Sequence, residues 1–103
     1  MKAAVLLFVF ALALGARVLA HDAERTFSQA SDLAPWCENE AKARYIGRNI
    51  TPYQWTASYH DSGDVLVVDG KLRVHGDDVP VHCRVARGAR EQYATVEIDD
   101  PTL

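Results

Sequence analysis

The chain has little of what reactive sites are usually built from. It has two cysteines, Cys37 and Cys83, and no Cys-x-x-Cys pair, which argues against a reactive or redox thiol. It has no Gly-x-Ser-x-Gly elbow and no His-Glu-x-x-His motif. Paired carboxylates occur only as Asp77-Asp78 and Asp99-Asp100, both in stretches that read as turn or tail. Catalysis also needs a pre-formed cleft, for which one helix on a few strands leaves little room, so no enzyme is expected. Basic residues are outnumbered, 11 against 14 acidic, which disfavours general nucleic-acid or anionic-membrane binding. There are no internal repeats or low-complexity segments, and no apolar run comparable to the first follows Leu14.

That first run is the export feature. Lys2 precedes an apolar stretch from Ala3 to Leu14, Gly15 breaks it, and Val18-Leu19-Ala20 fits a signal-peptidase site. Twelve apolar residues reach only ~18 Å as a helix, short of a ~30 Å hydrocarbon core. The expected division is a signal peptide over 1–20, a flexible arm over 21–30 and one small α+β domain over 31–100. The product is periplasmic or secreted, with no membrane attachment after cleavage. At this size a hydrophobic core alone is marginal. In an oxidising compartment Cys37 and Cys83 are expected to form one disulfide.

The helix signal begins at Ser31 or Asp32 as cap, with Pro35 in the first turn and Gly47 as the stop. Leu33, Cys37, Ala41 and Tyr45 recur every four residues as one apolar stripe. From Tyr53 the period is two. Tyr53, Trp55, Ala57 and Tyr59 share one face, and these aromatics, with Trp36 and Tyr45, read as core. A turn at Asp61-Ser62-Gly63 leads to a second strand. Its alternation of Leu66, Val68, Gly70, Leu72 and Val74 passes through Asp69-Gly70 without a slip. One long strand is therefore expected, with Gly70 marking a bend or a bulky neighbour. Gly76-Asp77-Asp78 is the expected next turn. Val81, Cys83 and Val85 then share a face of the third strand, and Ala94, Val96 and Ile98 one face of the fourth.

The expected architecture is one N-terminal helix packed on a four-stranded antiparallel meander sheet. Both cysteines fall on the apolar faces that meet, so the bridge joins helix to sheet. The helix-then-meander order resembles the cystatin arrangement, and Leu66-Val67-Val68-Asp69-Gly70 is similar to that family's Gln-x-Val-x-Gly hairpin. Leu66 stands where the family has glutamine, and Pro35-Trp36 precedes the helix, whereas the family carries Pro-Trp in a late hairpin. The resemblance implies architecture alone, a helix across a curved sheet, and no site.

Lys71, Arg73, His82 and Arg84 fall on the sheet's outer face, with Arg87 and Arg90 just beyond. Against a negative whole, this patch is the candidate contact for a protein or small anionic ligand. The meander sets Arg84 opposite Asp69 and His82 opposite Lys71. It leaves His60 and His75 about 30 Å apart at ~3.3 Å per residue, so the internal histidines form no metal set. His21 is the candidate copper ligand. As the first mature residue, its terminal amine and imidazole nitrogen form a chelate suited to Cu(II). The expected function is a non-catalytic binding or accessory protein outside the cytoplasm. Alternatives are a copper-binding protein using His21 and a small secreted hydrolase inhibitor or toxin-like protein.

Overall fold

The computed structural model describes residues 25–103. Helix α1 spans Ala30–Ile46, and the strands are β1 (Gln54–Ser62), β2 (Val65–Val74), β3 (Asp77–Ala86) and β4 (Thr95–Ile98). They form one antiparallel sheet in the order β1-β2-β3-β4, so every sheet neighbour is a chain neighbour.

The α1 stripe and the inner face of the sheet close on each other. Leu33, Cys37, Ala41 and Tyr45 are buried against Leu66, Val68, Leu72, Val81, Cys83 and Val85. The Cys37–Cys83 disulfide crosses this interface, with its Cα atoms 5.9 Å apart. β2 runs unbroken through Asp69-Gly70, and the Trp55 ring lies directly over Gly70. A methyl added at Gly70 would overlap that ring, approaching Cζ3 and Cζ2 within 2.8 and 2.9 Å. A side chain is excluded there so that an indole can cover the backbone.

The helix begins earlier than its cap residues indicate. Gln29 occupies the N-cap position without a side-chain bond, which puts Pro35 in the second turn. The capping acceptor comes from the sheet instead: Asp61 at the end of β1 accepts the Ala30 N–H at 3.1 Å. The other Asp61 oxygen accepts from Arg87 at 3.1 Å. Asp32, in the first turn, accepts from the backbone and hydroxyl of Ser28, and the hydroxyl bond holds its carboxyl below the usual range. At the other end Gly47 follows the last helical residue. The left-handed position is Asn49 (φ 61°), and the Ile50 N–H reaches back to the Tyr45 carbonyl. This is the bond pattern of a Schellman stop.

The stretch expected to be a flexible arm is anchored over the part that is described. Thr26 bridges Arg90, the Phe27 N–H donates to Ala89, and the Gly88 N–H donates to Phe27. The Phe27 ring is fully buried, edge-on to Trp36 at 6.0 Å between centroids. A polar, aperiodic segment is held by one aromatic anchor and a backbone ladder. Residues 21–24 lie outside the described residues.

The C-terminal tail is tied down as well. The Tyr45 hydroxyl, buried at the helix end, donates to Asp100 at 2.6 Å, and Thr102 donates to the second Asp100 oxygen through its backbone and hydroxyl. The tyrosine bond, then those from Thr102, lower the Asp100 pKa, while burial and Asp100 raise that of Tyr45. A carboxyl more acidic when folded contributes stability that is present at neutral pH and disappears as pH falls below about 4. A phenol less acidic when folded contributes stability that is complete below pH ~10 and declines above it. Asp100→Asn is therefore expected to flatten the acid arm of a denaturation-midpoint profile, leaving the part due to Asp32. Tyr45→Phe is expected to flatten the alkaline arm and cost about 1–2 kcal/mol at neutral pH. Profiles superimposable on wild type would refute the assignment.

Candidate functional site

Because α1 covers only one side of the sheet, the other side is open. Alternation along β2 and β3 places Lys71, Arg73, His82 and Arg84 on that open face. The pairings differ from expectation by two residues. Lys71 lies opposite Pro80, Arg73 opposite Asp78, His82 opposite Asp69, and Arg84 opposite Val67. The cause is the turn. The loop is the two residues His75-Gly76, both with positive φ (52° and 85°), rather than Gly76-Asp77-Asp78. This is the backbone of a type I′ hairpin, and it matches strand twist. Histidine is an uncommon occupant of that conformation, and composition alone points one residue further on.

The register decides which charges are already occupied. Arg73 Nε donates to Asp78 at 3.1 Å. His82 Nδ1 lies 2.7 Å from Asp69 Oδ1, and Glu97 is opposite His82 on its β4 side. Lys71 and Arg84 make no ion pair among the described residues. Arg87 and Arg90 do not extend the patch. The Arg87 guanidinium bonds the Ser28 carbonyl, Asp61 and the Gly63 carbonyl, and Arg90 lies in the bridge to Thr26.

Lys71 also sits where the face is hollowed. A depression of about 390 Å³ is lined by Gln54, Trp55, Thr56, Lys71, Arg73 and Asp78. A second, of about 250 Å³, shares Thr56 and Lys71 and reaches Ser58 and Asp69. The two form a shallow trough along β1 and β2, with Lys71 common to both. Its hydroxyl and amide contributors, Gln54, Thr56 and Ser58, are the polar half of the β1 alternation. They were legible as outward-facing residues but carried no chemical signature of their own.

Other candidates fare differently. His21, the candidate copper ligand, and the export-signal residues 1–20 lie outside the described residues. No three His, Cys, Asp or Glu side chains gather as a metal set among the described residues. Asp77-Asp78 and Asp99-Asp100, far apart in sequence, meet at a hollow of about 340 Å³ beside the β2–β3 turn. Two of these carboxylates are already engaged, Asp78 by Arg73 and Asp100 by Tyr45. Tyr53 and Tyr59 are not core: each is more than half exposed, while Trp36 and Tyr45 are buried and Trp55 partly so. β1 overhangs the helix, so inward-facing positions on this edge are not all covered. The Leu66–Gly70 stretch lies in mid-strand, not in a hairpin loop.

Fold and site together define a disulfide-linked α+β domain with one covered and one open sheet face. Comparison with protein-family models, curated proteins and solved structures finds no significant match to this chain. The disulfide fits a non-reducing environment outside the cytoplasm. No described helix is long and apolar enough to cross a membrane.

Proposed function

We propose that the protein is a non-catalytic binding or accessory domain, exported to the periplasm or secreted, that takes an anionic partner on the open face of its sheet. One observation carries this reading. Lys71 lies in the trough with no acidic side chain paired to it, whereas the two aspartates that line the same trough, Asp78 and Asp69, are engaged by the neighbouring Arg73 and His82. An ammonium beside hydroxyl and amide groups offers a carboxylate or phosphate both charge and hydrogen bonds. Arg84, one strand away and likewise free of an ion pair, extends the reach along an acidic segment. Export rests on the signal-type N-terminus and the disulfide.

The test is titration with an oligoglutamate peptide at low and high salt. The oxidised protein is expected to bind, more weakly as salt rises. Lys71→Glu combined with Arg84→Glu is expected to weaken binding about tenfold or more, the scale of one to two kcal/mol for reversed contacts at a polar rim. The melting temperature should stay within a degree or two, because both side chains are exposed and outside the core. Equal binding by the variant, or none by the wild type, would remove the open face as the site.

A further inference from the structure

We infer that β1 is a self-pairing edge, joining two copies of this chain into one continuous eight-stranded antiparallel sheet. The inference is independent of the charges on the open face. Arg87 N–H donates to the Asp64 carbonyl, and the register continues through Val65↔Ala86, so Leu66, Val68, Gly70 and Leu72 direct their backbone groups to β3. Val65, Val67, Asp69, Lys71 and Arg73 then serve β1, where they meet Ser62, His60, Ser58, Thr56 and Gln54. The N–H and C=O groups of Trp55, Ala57, Tyr59 and Asp61 therefore point away from the sheet, and no described residue pairs with them.

The two edges of the sheet are not alike. β4 is only four residues long. β1 is nine residues long and contains no lysine and no proline, the usual devices that blunt an exposed edge. Its inward-facing Ala57 and Tyr59 are exposed, Tyr59 by 53 %. A long unprotected edge beside an uncovered apolar strip has the makings of a strand-pairing surface.

The sequence of β1 is compatible with its own antiparallel image. With a two-fold axis at Ser58, the midpoint of the strand, all four residues whose backbone groups point to the free edge are used: Trp55 meets Asp61 of the second copy, and Ala57 meets Tyr59. About eight backbone hydrogen bonds result, two for each directly opposed pair. Small side chains meet aromatic ones on the inner face. On the outer face Ser58 meets Ser58, and Thr56 meets His60. No like charges are opposed, a condition cross-strand pairs must satisfy. The axis is perpendicular to the sheet, so both helices lie on one side with Ala57 and Tyr59 of each copy between them. Both open faces lie on the other side, setting two Lys71 troughs on one surface.

Sedimentation equilibrium of the oxidised protein at micromolar concentration is expected to give twice the monomer mass. Ala57→Pro removes an N–H that faces outward and bonds nothing within the chain, so it should leave the fold intact and halve the mass. Tyr59→Lys, at an exposed position, should do the same if proline disturbs folding. Ser58→Cys should form a reducible cross-linked dimer under air, because residues opposed at a non-hydrogen-bonded site lie about 4.5 Å apart at Cα. Thr56→Cys, which does not face itself, should not cross-link. A monomeric wild type overturns the inference. So does a dimer that persists in both edge variants, or a Ser58→Cys protein that fails to cross-link.

Discussion

Replacing Cys37 and Cys83 together by alanine is expected to lower the unfolding free energy by about 4 kcal/mol, the chain-entropy effect of opening a loop that spans 46 positions. A loss of that size is comparable with the whole stability of many small domains. The variant should therefore be substantially unfolded at 37 °C, whereas the oxidised wild type stays folded. The bridge is decisive because of where it lies: both sulfurs are fully buried at the centre of the single helix–sheet interface. Equilibrium denaturation of the oxidised protein, the reduced protein and the double variant would measure the effect. A difference under ~1 kcal/mol would mean that packing alone holds α1 on the sheet and that the covalent link is dispensable.

Phe27→Ala is expected to cost about 3–5 kcal/mol, the range for removing a fully buried aromatic ring. Its effect should also be local. The ring packs edge-on to Trp36 beneath the Arg25 guanidinium, which sits 5.1 Å from its centroid. The backbone of the same residue exchanges hydrogen bonds with Gly88 and Ala89. Without the ring, nothing apolar holds residues 25–29 against the β3–β4 connection. Hydrogen exchange should therefore speed up at the Phe27, Gly88 and Glu91 amides beyond what the global destabilisation accounts for. Phe27→Leu, which keeps most of the volume, should cost less than half as much. If exchange at those amides rises no more than in the centre of β2, the anchoring role of the ring is wrong.

The sequence was most informative where two periodicities met. The four-residue stripe put Cys37 inside the helix, and the two-residue alternation put Cys83 inside the sheet. Their pairing then followed from the architecture. Unbroken parity through Asp69-Gly70 distinguished one strand from a hairpin, although Asp-Gly is a common turn pair. What stayed hidden depends on single residues without a repeat. Phe27 is one apolar residue among polar ones, and no periodicity marks it as core. Asp61 caps a helix thirty-one positions earlier in the chain, a pairing that exists only in three dimensions. His75 takes a left-handed conformation that its residue type does not announce, and this moved the register of the open face by two. The candidate contact residues were legible as a face. Which of them are already neutralised was not, since that depends on the register.

The layout of the sheet also has a kinetic side. Each strand pairs with the one just before or after it, through two-residue loops in the first two hairpins, so these can zip with little loop-closure entropy. The contacts of the ends are of another kind. Thr26 must find Arg90, Arg48 must find Thr102, and Tyr45 must find Asp100, each across more than half of the described chain. A chain emerging from its N-terminus can assemble β1, β2 and β3 while the acceptors for its first segment are still unmade. Residues 88–102, which follow β3 in the chain, thus act as a clasp that closes on the helix and the first segment after the hairpins have formed.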